Sequence, residues 1–173
     1  MYMEKENRVS QILSEMLERH PAMRDAGFGF QGEEHDVLYQ ATYPHSVLGD
    51  GCSGCDSSYA QPRAPRDSRP VIHYGNIGSG NWVMKDAFLR DEIARRWGII
   101  CFEMEAAGVV DIVPCIVIRG ICDYADSHKN KRWQGHAAAS AAAYATALLT
   151  VIQVSQTKEM TPALQSEPGV TSS

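Results

Sequence analysis

Three short apolar runs are separated by stretches of helical periodicity, a pattern that neither an all-helical nor an all-strand chain produces. The runs are Pro70-Val71-Ile72-His73-Tyr74, Ile99-Ile100-Cys101-Phe102 and Pro114-Cys115-Ile116-Val117-Ile118-Arg119-Gly120-Ile121. Each is of strand length and rich in β-branched residues. Between the first two, residues 85–97 place Leu89, Ile93 and Trp97 on one helical face. Asp91 with Arg95 and Glu92 with Arg96 have the spacing of pairs one turn apart, and Gly98 supplies a stop. Residues 106–111 predict a short helix. A final helix is expected over 134–154, with Tyr144, Leu148, Val151 and Ile152 on one face. Eight alanines between Ala137 and Ala147 let its backbone approach a neighbouring element closely. Strands alternating with helices predict an α/β fold, a mostly parallel or mixed sheet flanked by helices.

The first seventy residues read differently. Val9, Ile12, Leu13, Met16 and Leu17 fall at helical spacing within residues 7–19, with Asn7 or Ser10 as cap and His20-Pro21 as terminator. Residues 22–69 carry many Gly, Pro, Asp and Ser, an irregular segment longer than a compact domain usually holds. One domain over 1–154 is the expectation. The Ser-, Thr-, Gln- and Pro-rich residues 155–173 are expected to be disordered. No internal repeat is present.

Net charge and charge placement narrow the partners. A formal charge of -5 without a Lys/Arg-rich stripe argues against nucleic-acid binding through phosphates. The charged start MYMEKENRVSQ lacks a signal-peptide core, and no run reaches membrane-spanning length, so a cytoplasmic protein with no membrane partner is expected. Of five cysteines, Cys101, Cys115 and Cys122 lie in apolar runs, which favours reduced thiols.

Several polar motifs stand where chemistry is usual. In CFEMEAAG an apolar run ends in Glu103 and Glu105, and ligands in parallel sheets bind beyond strand carboxyl ends. A carboxylate such as Glu105 can hold two adjacent sugar hydroxyls, and it can equally sit at a helix start where the dipole favours it. Asp123, at the rim of an apolar run, could be desolvated enough to serve as a general acid. Its spacing alone favours an Asx-type turn, and Asp126 is more readily a cap or supporting residue. The run Gly75-Asn76-Ile77-Gly78-Ser79-Gly80-Asn81 is neither a dinucleotide fingerprint nor, lacking Lys-Ser/Thr, a phosphate loop. Cys52-Ser53-Gly54-Cys55 has the spacing of half a zinc site or of a redox pair. No second C-x-x-C and no H-x-x-x-H accompanies it, so no metal is assigned.

Taken together, SGN at 79–81, FEMEAAG at 102–108 and RGICDYADSHKNKRW at 119–133 resemble, in order and spacing, the C-terminal half of the purine and uridine phosphorylase superfamily. The likeness covers roughly residues 8–152. It is nearest to fungal members, often found as a domain of larger proteins with nucleotide-binding or repeat modules. The resemblance implies cleavage of the N-glycosidic bond of a purine nucleoside by phosphate (phosphorolysis, a glycosyltransferase) or by water (a hydrolase). Asp123 would be the general acid and Glu105 the ribose ligand, with Met104 against the sugar. Ser79, Gly80, Asn81, Val83 and Met84 would shape the base pocket. No cofactor is implied beyond phosphate as co-substrate, and a homo-oligomer is expected. The superfamily's N-terminal strands and glycine-rich phosphate turn have no counterpart in residues 1–70. The alternative is therefore a catalytically inactive nucleoside-binding or assembly module derived from such an enzyme.

Overall fold

A computed structural model describes residues 2–45, 51–64 and 68–152, with side chains from residue 8 onward. The tail expected to be disordered, 155–173, lies outside the described residues. The named elements are α1 (Tyr2–Arg19), β1 (Asn76–Ser79), α2 (Ala87–Trp97), β2 (Ile99–Glu103), α3 (Ala107–Val110) and α4 (Gln134–Leu149).

Burial of the α1 stripe against the alanines of α4 builds the core. Val9, Leu13 and Leu17 meet Ala139 and Ala143, with Ile12, Met16, Phe28, Ile72 and Tyr144 packed around them. Small side chains on α4 let the backbone of other segments approach it. A side chain at Gly120 would run into the carbonyl of Ala137, and one at Gly135 would stand 2.6 Å from the Gly27 carbonyl oxygen. Gly27, at φ 86°, closes the kinked turn Arg24–Phe28 that leads out of the N-terminal helix.

The second unit is a β1-α2-β2 crossover. Asp86 caps α2 by accepting from the N–H groups of Phe88 and Leu89, and Gly98 ends it at φ 64°. Trp97 closes this helix exposed rather than buried, and Arg90 pairs with Asp91 at 2.8 Å. The chain then enters β2, which runs parallel to β1 with Ile77 opposite Cys101, Gly78 opposite Phe102 and Ser79 opposite Glu103. The α/β expectation holds in this coarse form: among the described residues the sheet has two parallel strands.

Two expected strands are not formed. Residues 70–74 form no strand: Ile72 joins the helical core, and the Tyr74 hydroxyl stands 3.3 Å from that of Tyr144 on α4. The ladder forms further on, at Asn76–Ser79 in the glycine-rich run. Residues 114–121 likewise form no ladder; Gly120 lies against α4 while Ile116 and Ile121 are exposed. The last helix ends at Leu149, with Val151 exposed.

Candidate functional site

Where β1 and β2 end, the structure brings two of the sequence motifs together. The Gly80 N–H donates to the Glu103 carbonyl at 3.2 Å, and the Ser79 hydroxyl accepts from the N–H of Ala107 at 2.9 Å. Glu103 is buried, and its Oε2 accepts from the backbone N–H of Glu105 at 2.8 Å and of Ala106 at 2.7 Å. Burial alone would raise its pKa. The Ser79 hydroxyl, those two N–H groups and the Arg119 charge outweigh burial and hold it below the usual carboxylate value. Glu103 thus fixes the turn into α3. Glu105 projects outward and pairs with Arg119 at 2.9 Å. Met104, Asn81 and Val83 are exposed, whereas Met84 is buried. A small apolar cavity of about 50 Å³ lies instead between α1 and α4, lined by Val9, Tyr144, Ala147 and Leu148.

Asp123 sits in a tight polar loop. Its Oδ1 accepts from the Ala125 N–H at 2.9 Å, and its Oδ2 faces Lys129 Nζ at 3.2 Å and the Cys122 thiol at 3.3 Å. Burial and the Asp123 charge push that thiol up to about 11. Ala125 takes φ 53°, a left-handed conformation rare for a residue with a Cβ. Asp126 is buried; its Oδ1 accepts from the His128 N–H at 2.9 Å and its Oδ2 lies 3.9 Å from Arg90.

Beside this loop is a constellation that the sequence reading did not assemble. His45, Cys52, Cys55 and His128 each contribute one donor atom to a cluster, all four within 4.8 Å of one another. The Cys52 and Cys55 sulfurs each lie 3.7 Å from His128 Nδ1. A turn closed by Cys55 N–H to the Cys52 carbonyl at 3.1 Å brings the two thiols to one side. His128 is held from every direction. Its Nε2 meets the Tyr43 carbonyl at 2.8 Å, and its ring stacks on Tyr39 with centroids 4.1 Å apart. The His45 backbone N–H donates to Ser127 Oγ at 2.9 Å, and its ring stands edge-on to that of His128. The irregular segment is closed at its base by the bridge between Tyr39 and Ala60. All five cysteines are free thiols in the structure.

Comparison with known proteins gives one informative relationship. Over 128 residues the chain is 45% identical to a nucleotide-binding leucine-rich repeat (NLR)-like protein of Hyaloscypha variabilis, a match that takes in 74% of this chain and 12% of that protein. The chain thus spans about an eighth of the curated relative's length. No protein-family model matches the chain, and no solved structure matches it.

That finding corrects the reading as a purine and uridine phosphorylase relative. The similar protein is named for nucleotide binding and leucine-rich repeats, not for phosphorolysis or hydrolysis of a nucleoside. The expectation of N-glycosidic cleavage, and with it the glycosyltransferase and hydrolase assignments, is set aside. Motifs shared in order and spacing record a way of ending strands and turning loops; they do not fix a chemistry. No described helix is long and apolar enough to cross a membrane.

Proposed function

We propose that this chain works as a contact module within a nucleotide-binding leucine-rich repeat-like protein, and that it carries no catalysis of its own. The observation that carries the reading is its 45% identity with the NLR-like protein, over a segment that is 12% of that protein. The chain has no phosphate loop, since Gly75 to Asn81 lacks Lys-Ser/Thr, and it has no internal repeat. The sequence patterns that usually carry the two properties in the relative's name are not found in these residues. What remains is an accessory part.

Exposed apolar surface supports a contact role. Parallel sheets are normally covered on both faces, and large exposed apolar areas mark interaction sites. Here Ile100 on β2 is exposed, as are Trp97 at the end of α2 and Ile112, Ile116 and Ile121 in the segment that follows. The occupant we assign to this surface is a neighbouring segment of the same polypeptide, because the matched part of the relative belongs to a much longer chain. Glu105, just past β2, and Asp123, in the loop after residues 114–121, meanwhile are engaged by the protein's own groups, Glu105 by Arg119 and Asp123 by Lys129.

Amide hydrogen exchange tests this directly on the longer relative. The segment corresponding to Ile99–Ile121 is expected to exchange more slowly within the whole protein than in the matched piece alone. Equal rates in the two contexts would remove the contact role.

A further inference from the structure

The geometry points to a structural zinc site made by His45, Cys52, Cys55 and His128. The four residues come from two distant places, three from the irregular segment and one from the loop before α4, and their donor atoms gather within 4.8 Å. Nothing in the relative's name or in the strand-end motifs accounts for them.

Tetrahedral zinc makes a definite demand on donor spacing. With Zn–S of about 2.3 Å and Zn–N of about 2.05 Å at tetrahedral angles, a sulfur and a nitrogen on one ion stand about 3.6 Å apart. His128 Nδ1 lies 3.7 Å from each of the two sulfurs. A hydrogen-bonding explanation meets an obstacle. His128 Nε2 is 2.8 Å from the Tyr43 carbonyl, an acceptor, so the ring proton belongs on Nε2 and Nδ1 keeps a single lone pair. The Cys52 thiol has a second acceptor in the His128 carbonyl at 3.7 Å, but a hydrogen bond there does not require both sulfurs to stand at tetrahedral spacing from Nδ1, whereas one cation holds all three atoms. The Tyr43 carbonyl is also the partner that metal-bound histidines commonly use to fix tautomer and ring orientation.

Donor type and number select the ion and its role. Two thiolates and two neutral imidazoles neutralise a divalent cation, and mixed sulfur–nitrogen tetrahedral sets favour zinc. Binding releases the two thiol protons to solvent. Four protein donors leave no position open for water or substrate, which makes the site structural. Its physical task is to fasten residues 39–45 and 51–60, which among the described residues have little regular structure beyond the turn Ser57–Tyr59 and the Tyr39–Ala60 bridge, to the loop that carries His128. An isolated C-x-x-C is half of this arrangement; His45 from the same segment and His128, 76 residues after Cys52, supply the other half.

The test is metal analysis of the untagged chain purified without chelator, followed by replacement of the ion with Co(II). The expected result is one zinc per chain, and a cobalt form with the intense visible bands of tetrahedral Co(II) and near-ultraviolet thiolate-to-cobalt charge transfer. Cys101→Ser and Cys122→Ser keep the metal; Cys52→Ser and His128→Asn lose it. Because these last two risk unfolding, the wild-type cobalt spectrum decides by itself. A pale octahedral cobalt spectrum, no zinc retained after dialysis against it, or a Cys52–Cys55 disulfide in the isolated protein would overturn the proposal, the last in favour of a redox pair.

Discussion

Arg90 on α2 reaches the loop that carries His128, its Nη1 standing 3.9 Å from Oδ2 of the buried Asp126 and donating to the Tyr124 carbonyl at 2.8 Å. This one side chain joins the crossover unit to the polar loop. Asp126 in turn accepts from the His128 N–H, so the guanidinium supports the loop through a carboxylate that burial would otherwise penalise.

Arg90→Ala is therefore expected to cost about 2–3 kcal/mol, since it removes the positive charge that faces a buried carboxylate and the donor to the Tyr124 carbonyl. Glu105→Ala, which removes a solvent-exposed pair with Arg119, should cost less than about 1 kcal/mol. Urea unfolding of the two variants compares them, and equal costs would contradict the assignment of Arg90 as the joining residue.

Glu103 gives a pH signature. Its pKa in the folded chain is below the ordinary 4.5, so its contribution is fully present above pH 4.5 and is lost as pH falls through the lower folded value. Glu103→Gln keeps an acceptor but removes the charge, and should cost about 1–2 kcal/mol at neutral pH. The gap between parent and variant is expected to close as unfolding midpoints are followed from pH 7 to pH 3. A constant gap over that range would mean that the charge is idle.

Gly120→Ala tests the close approach to α4. A methyl group there meets the Ala137 carbonyl, which is helix backbone and cannot move aside. The expected loss exceeds about 3 kcal/mol, with the α1–α4 core disturbed as well. Thermal unfolding of the variant next to Gly108→Ala, where open space surrounds the glycine, separates the clash from any general effect of alanine.

Much of the local structure could be read from the chain itself. The helix ending at Gly98 and the strand Ile99–Glu103 announced themselves through periodicity and the Gly98 stop, while the Asp86 cap emerges only in the structure. These signals are local, and local energetics decide them. The strand expected at 70–74 failed because pairing depends on partners: Ile72 finds the helical core, and the ladder moves to Asn76–Ser79. There a side chain at Gly78 would be crowded, standing 3.0 Å from Ile99 Cδ1 and 3.1 Å from the Phe102 ring.

Glu103 stands at the end of β2, where Gly80 donates to its carbonyl and the Ser79 hydroxyl accepts from Ala107, whereas Asp123 follows a segment that forms no strand. Their chemistry was not legible, because a carboxylate that caps a turn and one that holds a ligand use the same residue at the same position. The Cys/His group was missed for the opposite reason. Its C-x-x-C was visible, but a search for paired histidines at helical spacing cannot find His45 and His128, which only the folded loops bring together.

The central claim, a module without catalysis, is tested most directly by incubating the folded, purified chain with a panel of purine and pyrimidine nucleosides, with and without phosphate, and with ATP. The account predicts no free base and no released phosphate under any of these conditions. Release of base that Asp123→Asn abolishes while the fold is retained would contradict it.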